Sequence, residues 1–177
     1  NGIEEAGHEW IEARGVDWAQ ALIINSESDL KTWRDKVWSK TLKEVKEAIA
    51  SGGIDCFLGY LYPQMIEPSA ISELRKMGVP CVNYFCDNVR EFRQVPESYL
   101  SFDLHWVPEF RAIQMYRRAS LRYIYAPMPC WVPPCFRNQD NIVDGYPAAT
   151  FIGSADFLRS ELLGLASQLG GDISVYG

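Results

Sequence analysis

Residues 53–88 read GIDCFLGYLYPQMIEPSAISELRKMGVPCVNYFCDN, and this stretch decides the fold. A nearly continuous apolar run of strand length starts at Asp55 and stops at Pro63, the pattern of a strand covered on both sheet faces. The next segment carries Pro68 and Ser69 at its start and Gly78 at its end, the asymmetry of a helix. A second apolar run follows and closes on Asp87 and Asn88. Strand, helix and strand in that order form a βαβ unit, and a βαβ unit implies a parallel sheet.

The same alternation extends both ways. Upstream, NGIEEAGHEWIEARG places Ile3, Ala6, Trp10 and Ile11 on one helical face, so a helix is predicted there. AQALIINSE predicts a strand around Ala21 to Ile24, and Trp33, Val37, Leu42, Val45 and Ile49 mark a long helix after it. Downstream, SFDLHWV reads as a short strand, PEFRAIQMYRRAS as a helix with Pro108 in its first turn, and LRYIYAP as another strand. Residues 127–147 hold five prolines and no periodicity, the texture of a stiff interdomain connection. AATFIGSADFLRSELLGLASQLGGDISVYG then opens a new strand, loop, helix and strand.

This pattern predicts an α/β protein with a Rossmann-like, doubly wound parallel sheet over residues 1–126. Its first strand is missing, a linker spans 127–147, and a second Rossmann-like domain begins at 148–177. Both ends read as cuts through a domain, so the expectation is a piece of a larger protein. Phe151, Ile152, Leu162, Leu163 and Leu169 then need a cover, which a homodimer or a strand-exchanged assembly would supply.

Composition narrows the function. The net charge is -6 and no Lys/Arg block is present to follow a phosphate backbone, so nucleic acid is a poor partner. No apolar run approaches the roughly 20 residues of a membrane span, and the first residues lack the pattern of a signal peptide, so a cytoplasmic protein is expected. Five cysteines without a C-x-x-C pair indicate buried free thiols. Two histidines and scattered carboxylates offer no metal-ligand spacing, so no metal is expected.

Several residues carry candidate chemistry. Gly153 and Ser154 lie between a strand and a helix, where backbone N–H groups and the helix dipole meet a diphosphate, and Arg159 follows within reach of phosphate oxygens. The residues alone fit an ordinary βα turn with a surface arginine as well. Asp87, with Asn88, sits at the carboxyl end of a strand, where open α/β sheets bind ligands. As a general base Asp87 would take a proton from an acceptor hydroxyl; equally, it would cap the following turn. His105 is the second candidate base, with Glu109 beyond it, although a structural histidine fits the same pattern. Tyr62 and Tyr84, near strand ends, are suited to stacking on a sugar. His8 is expected to face solvent.

The order of Gly78-Val79-Pro80, Asp87, Phe102-Asp103, the proline-rich crossover, Phe151 to Ser154, and Arg159 resembles the CgeB-like (spore-maturation, YkvP-like) glycosyltransferase family, from about Ile54 onward. The resemblance implies a GT-B architecture of two Rossmann-like domains and metal-independent transfer from a nucleotide sugar, such as a UDP-sugar, with no cofactor. It also implies that Gly153, Ser154 and Arg159 hold the donor diphosphate. The alternatives are a non-enzymatic flavodoxin-like binding or assembly module and a GT-B-shaped sugar-nucleotide epimerase.

Overall fold

The computed structural model describes residues 2–13, 15–128, 131–137, 149–153 and 157–176. The chain divides into two compact units, Asn1–Cys130 and Trp131–Gly177.

The first unit is built on four parallel strands, β1 (Phe57–Tyr60), β2 (Cys81–Tyr84), β3 (Leu104–Val107) and β4 (Tyr123–Tyr125), in the order β1-β2-β3-β4. Phe57 pairs with Cys81, Asn83 with His105, and His105 with Tyr123, so these residues share one face. The helices of this unit are α1 (Gly2–Glu5), α2 (Glu27–Ser51), α3 (Pro68–Lys76), α4 (Asn88–Glu91) and α5 (Ile113–Arg118). A sheet that always advances in one direction, with right-handed crossovers, stacks its connections on one face. The packing agrees. Trp33, Val37, Trp38 and Val45 of α2 join Ile71 and Leu74 of α3, with Cys81 and Phe85, in one buried cluster. Val107, Ala112 and Tyr116 form a second cluster under α5.

The opposite face holds Leu58 and Tyr60, Val82 and Tyr84, Leu104 and Trp106, and Ile124, all exposed or half-buried. Leu58 is 53% exposed while its neighbour Gly59 is buried. The expectation that the run from Asp55 to Pro63 is covered on both faces is therefore corrected within this unit. The strand order contains no reversal among these four strands, and reversal is what places helices on a second face.

Local chemistry explains the elements. α2 starts at Ser26, whose side chain accepts the Asp29 N–H at 3.4 Å, and carries Glu27 and Asp29 against its positive end. α3 starts with Pro68 at its first position. Its cap is the Glu67 carboxylate, which accepts from Ser69 N–H at 3.3 Å. Gly78, with φ +82°, ends that region in the left-handed conformation glycine tolerates.

Two predicted elements differ. The opening helix stops at α1 because Gly7 adopts φ +82°, with Gly7 N–H bonded to Glu4 O and His8 N–H to Ile3 O, a Schellman closure. The strand predicted around Ala21 to Ile24 is instead a 3-10 helix, Trp18–Leu22. Its inward residues, Trp18 and Ala21, lie three apart and not two. Trp18 sets its ring edge-on to Trp33 and Trp38 at 5.9 and 5.4 Å.

The second unit contains β5 (Ala149–Ile152), α6 (Phe157–Gln168) and β6 (Ile173–Tyr176), with β5 and β6 parallel and Phe151 opposite Val175. Leu162 and Leu169 of this unit are exposed. Among the described residues no helix is long and apolar enough to cross a membrane.

Candidate functional site

The carboxyl ends of β1 and β2 gather Tyr60, Tyr62, Tyr84, Cys86 and Asp87. Each strand delivers its last side chains to the same rim, because Tyr60 and Tyr84 are register partners. Their ring centroids lie 5.3 Å apart, and Tyr84 continues to Trp106 at 4.8 Å, a row of three rings on the open sheet face. Trp106 Nε1 donates to Ala126 O at 3.0 Å, which fixes the indole. Tyr60 Oη and Cys86 Sγ lie 3.3 Å apart, and the thiol points on to Asp87 Oδ2 at 3.8 Å.

All three phenols are held above the usual tyrosine range. For Tyr60 the hydrogen bond with Cys86 is the main cause; for Tyr62 and Tyr84 it is desolvation, reinforced by the negative charge of Asp87 and by Cys86. The rim thus offers neutral hydroxyls and aromatic faces around one carboxylate. Such a set suits a polyhydroxylated ligand, with rings stacking on its C–H faces and the carboxylate accepting a hydroxyl proton.

Asp87 occupies the N-cap position of α4 without a side-chain capping bond, which leaves its carboxylate to the rim. Glu109 joins the same neighbourhood from the end of β3, where its Oε2 accepts the Val89 N–H at 3.3 Å. Asn88 lies beneath, 1% exposed. Its Nδ2 donates to Phe85 O at 2.6 Å and its Oδ1 accepts from Tyr116 Oη at 2.7 Å, so its amide anchors the loop after β2 onto α5.

His105 is set apart from this rim. It is 1% exposed on the helix-covered face, with ring contacts to Tyr99, Phe102 and Tyr116 at 5.0–6.2 Å. Neither ring nitrogen has a hydrogen-bond partner among the described residues. Desolvation pushes its pKa down to about 4. The neutral imidazole therefore sits in the core, out of reach of a ligand at the strand ends. Asp103, two residues earlier, directly precedes β3 at its other end. There Oδ2 accepts Cys81 N–H at 2.9 Å and Oδ1 pairs with Arg75 Nε at 2.7 Å.

In the second unit Gly153 directly follows β5. A Cβ on Gly153 would lie 3.7 Å from Arg159 Nη1, so the first turns of α6 bring the guanidinium back over the glycine. Ser154 lies outside the described residues. Among those described, no group of three or more His, Cys, Asp or Glu is placed to hold a metal ion.

Sequence reasoning placed Tyr62, Tyr84 and Asp87 at strand ends but gave no weight to Tyr60 or Cys86. The available signal was the register implied by two successive parallel strands, which sets the last residues of each side by side.

Fold and rim together define a parallel α/β protein, compatible with a Rossmann-like fold, whose polar and aromatic groups converge at the carboxyl ends of its strands. No protein-family model, curated protein or solved structure matches the chain.

Proposed function

We propose that the chain is part of a glycosyltransferase of the GT-B type, which moves a sugar from a nucleoside-diphosphate donor to an acceptor hydroxyl. In this reading the acceptor oxygen attacks the anomeric carbon and its proton passes to the Asp87 carboxylate. The bond from that carbon to the diphosphate breaks, and the nucleoside diphosphate leaves with the electron pair. Arg159, beside Gly153 in the second unit, meets the leaving charge. Tyr62 and Tyr84 hold the acceptor by stacking.

The observation that carries the reading is the pairing of Gly153 with Arg159 inside a parallel strand-helix-strand unit. A glycine gives a diphosphate close access to backbone N–H groups, and a guanidinium beside it binds phosphate oxygens in a fork.

The test is a calorimetric titration with UDP, GDP, ADP and dTDP. One of them is expected to bind, and Arg159→Ala should weaken it by at least about tenfold, the loss of one charge-assisted contact. Absence of binding by all four, or an Arg159→Ala protein that binds equally well, would remove the donor site and the transferase with it.

A second reading, a non-enzymatic α/β assembly module, is favoured by the open apolar sheet face around Leu58, Tyr60 and Ile124. It predicts that the protein ignores all four nucleotides.

A further inference from the structure

A shallow, open depression lies beside the rim, at the loops that follow β2 and β3. It measures about 540 Å³ and is lined by Val89, Arg90, Glu109, Phe110 and Arg111. Its place is the one where open parallel sheets bind their ligands.

The lining has a distinct chemistry. The depression is lined by two arginines and one glutamate, and the carboxylate of that glutamate, Glu109, accepts the Val89 N–H at 3.3 Å. Arg90 has Glu91 Oε1 3.6 Å away in an exposed contact, worth little in water. Arg111 has no carboxylate within salt-bridge distance among the described residues. Phe110, next to Arg111 in the lining, is 73% exposed, with its ring edge-on to Tyr125 at 6.1 Å. A chain of net charge -6 that turns two arginines and a bare phenyl ring into one depression offers a local site for an anion with an apolar body. Guanidiniums bind a carboxylate or a phosphate in the same forked geometry, and also stack on rings.

We propose that this depression binds an anionic group, carboxylate or phosphate, carried on an aromatic or apolar body. Its role as the recognition subsite of the acceptor rests on the transferase reading above. Asp87, two residues before Val89, would then meet the acceptor's hydroxyl while Arg90 and Arg111 hold its charge.

The experiment is a residue-resolved ¹H–¹⁵N titration of the whole chain with phenyl phosphate, benzoate and phenol. The amides of Val89, Arg90, Glu109, Phe110 and Arg111 should shift saturably with at least one anion and not with phenol. The tighter of the two anions identifies the source of the charge. Arg111→Gln should weaken binding at least about tenfold, Arg111→Lys should restore part of it, and Phe110→Ala should weaken both anions alike. Arg159→Ala should leave these shifts unchanged, which separates the site from the nucleotide site. No saturable shift with either anion at millimolar concentration, an equal response to phenol, or indifference to both Arg90→Gln and Arg111→Gln would overturn the proposal. Anion binding in a protein that ignores all four nucleotides would keep the site and remove its assignment to an acceptor.

Discussion

Asn88 shows how a polar residue at a strand end takes a structural duty. Both ends of its buried amide are used, one by Phe85 O and the other by the Tyr116 hydroxyl. Asn88→Ala strands that hydroxyl in the core and should lower stability by about 2–3 kcal/mol, read from the denaturant midpoint at unchanged slope. Asp87 next to it makes no capping bond, and its carboxylate accepts from the Cys86 thiol of the rim at 3.8 Å, a weak contact. Asp87→Asn should leave stability within about 0.5 kcal/mol while lowering kcat of any transfer at least about 100-fold. A stable, fully active Asp87→Asn protein would exclude it as the base. The sequence made Asp87, Tyr62 and Tyr84 visible because prolines and turns mark where the strands end. It did not reveal the side on which His105 lies. Strand alternation sets Asp103 and His105 opposite Leu104 and Trp106, and hydropathy alone suggests that the more apolar pair faces inward. The reverse holds, because Tyr99 and Tyr116 enclose the imidazole while Trp106 joins the open face.

Among the elements, α2 and α3 were legible because each carries its own start and stop signals as well as its apolar stripe. Ser26→Ala should cost about 1 kcal/mol through loss of the α2 cap, measured by thermal or chemical unfolding. Leu74→Ala should cost about 2–5 kcal/mol, since the side chain is fully buried between α3 and the sheet. The opening segment misled for the opposite reason. Its apolar spacing suits a helix of several turns, yet one glycine at Gly7 adopts a left-handed turn that ends it. The 3-10 turn at Trp18–Leu22 misled because its apolar run resembles a strand, while only Ala21 within it is buried. Periodicity states which residues want burial; caps and long-range aromatic contacts decide the backbone that achieves it.

At the scale of the whole molecule, His105 links stability to pH. Its imidazole titrates near 4 in the folded protein and near 6.5 in the unfolded chain. Between those values the unfolded chain binds a proton that the folded one refuses. Stability from this group is therefore complete above about pH 6.5 and falls by about 1.4 kcal/mol per unit as the pH drops toward 4. Urea unfolding at several pH values should show that slope, and His105→Phe should flatten it; an unchanged slope would place the titration elsewhere. The one-sided layering of the first unit was not legible, since hydropathy cannot tell a strand with two covered faces from one with an apolar open face. Each of the first three strands pairs with the next one along the chain, Phe57 with Cys81, Val82 with Leu104 and His105 with Tyr123. Loop closures of this size are entropically modest. A ribosome releasing the chain from its amino end would deliver β2, β3 and β4 each after the strand it must join, so the sheet can lengthen one strand at a time during synthesis.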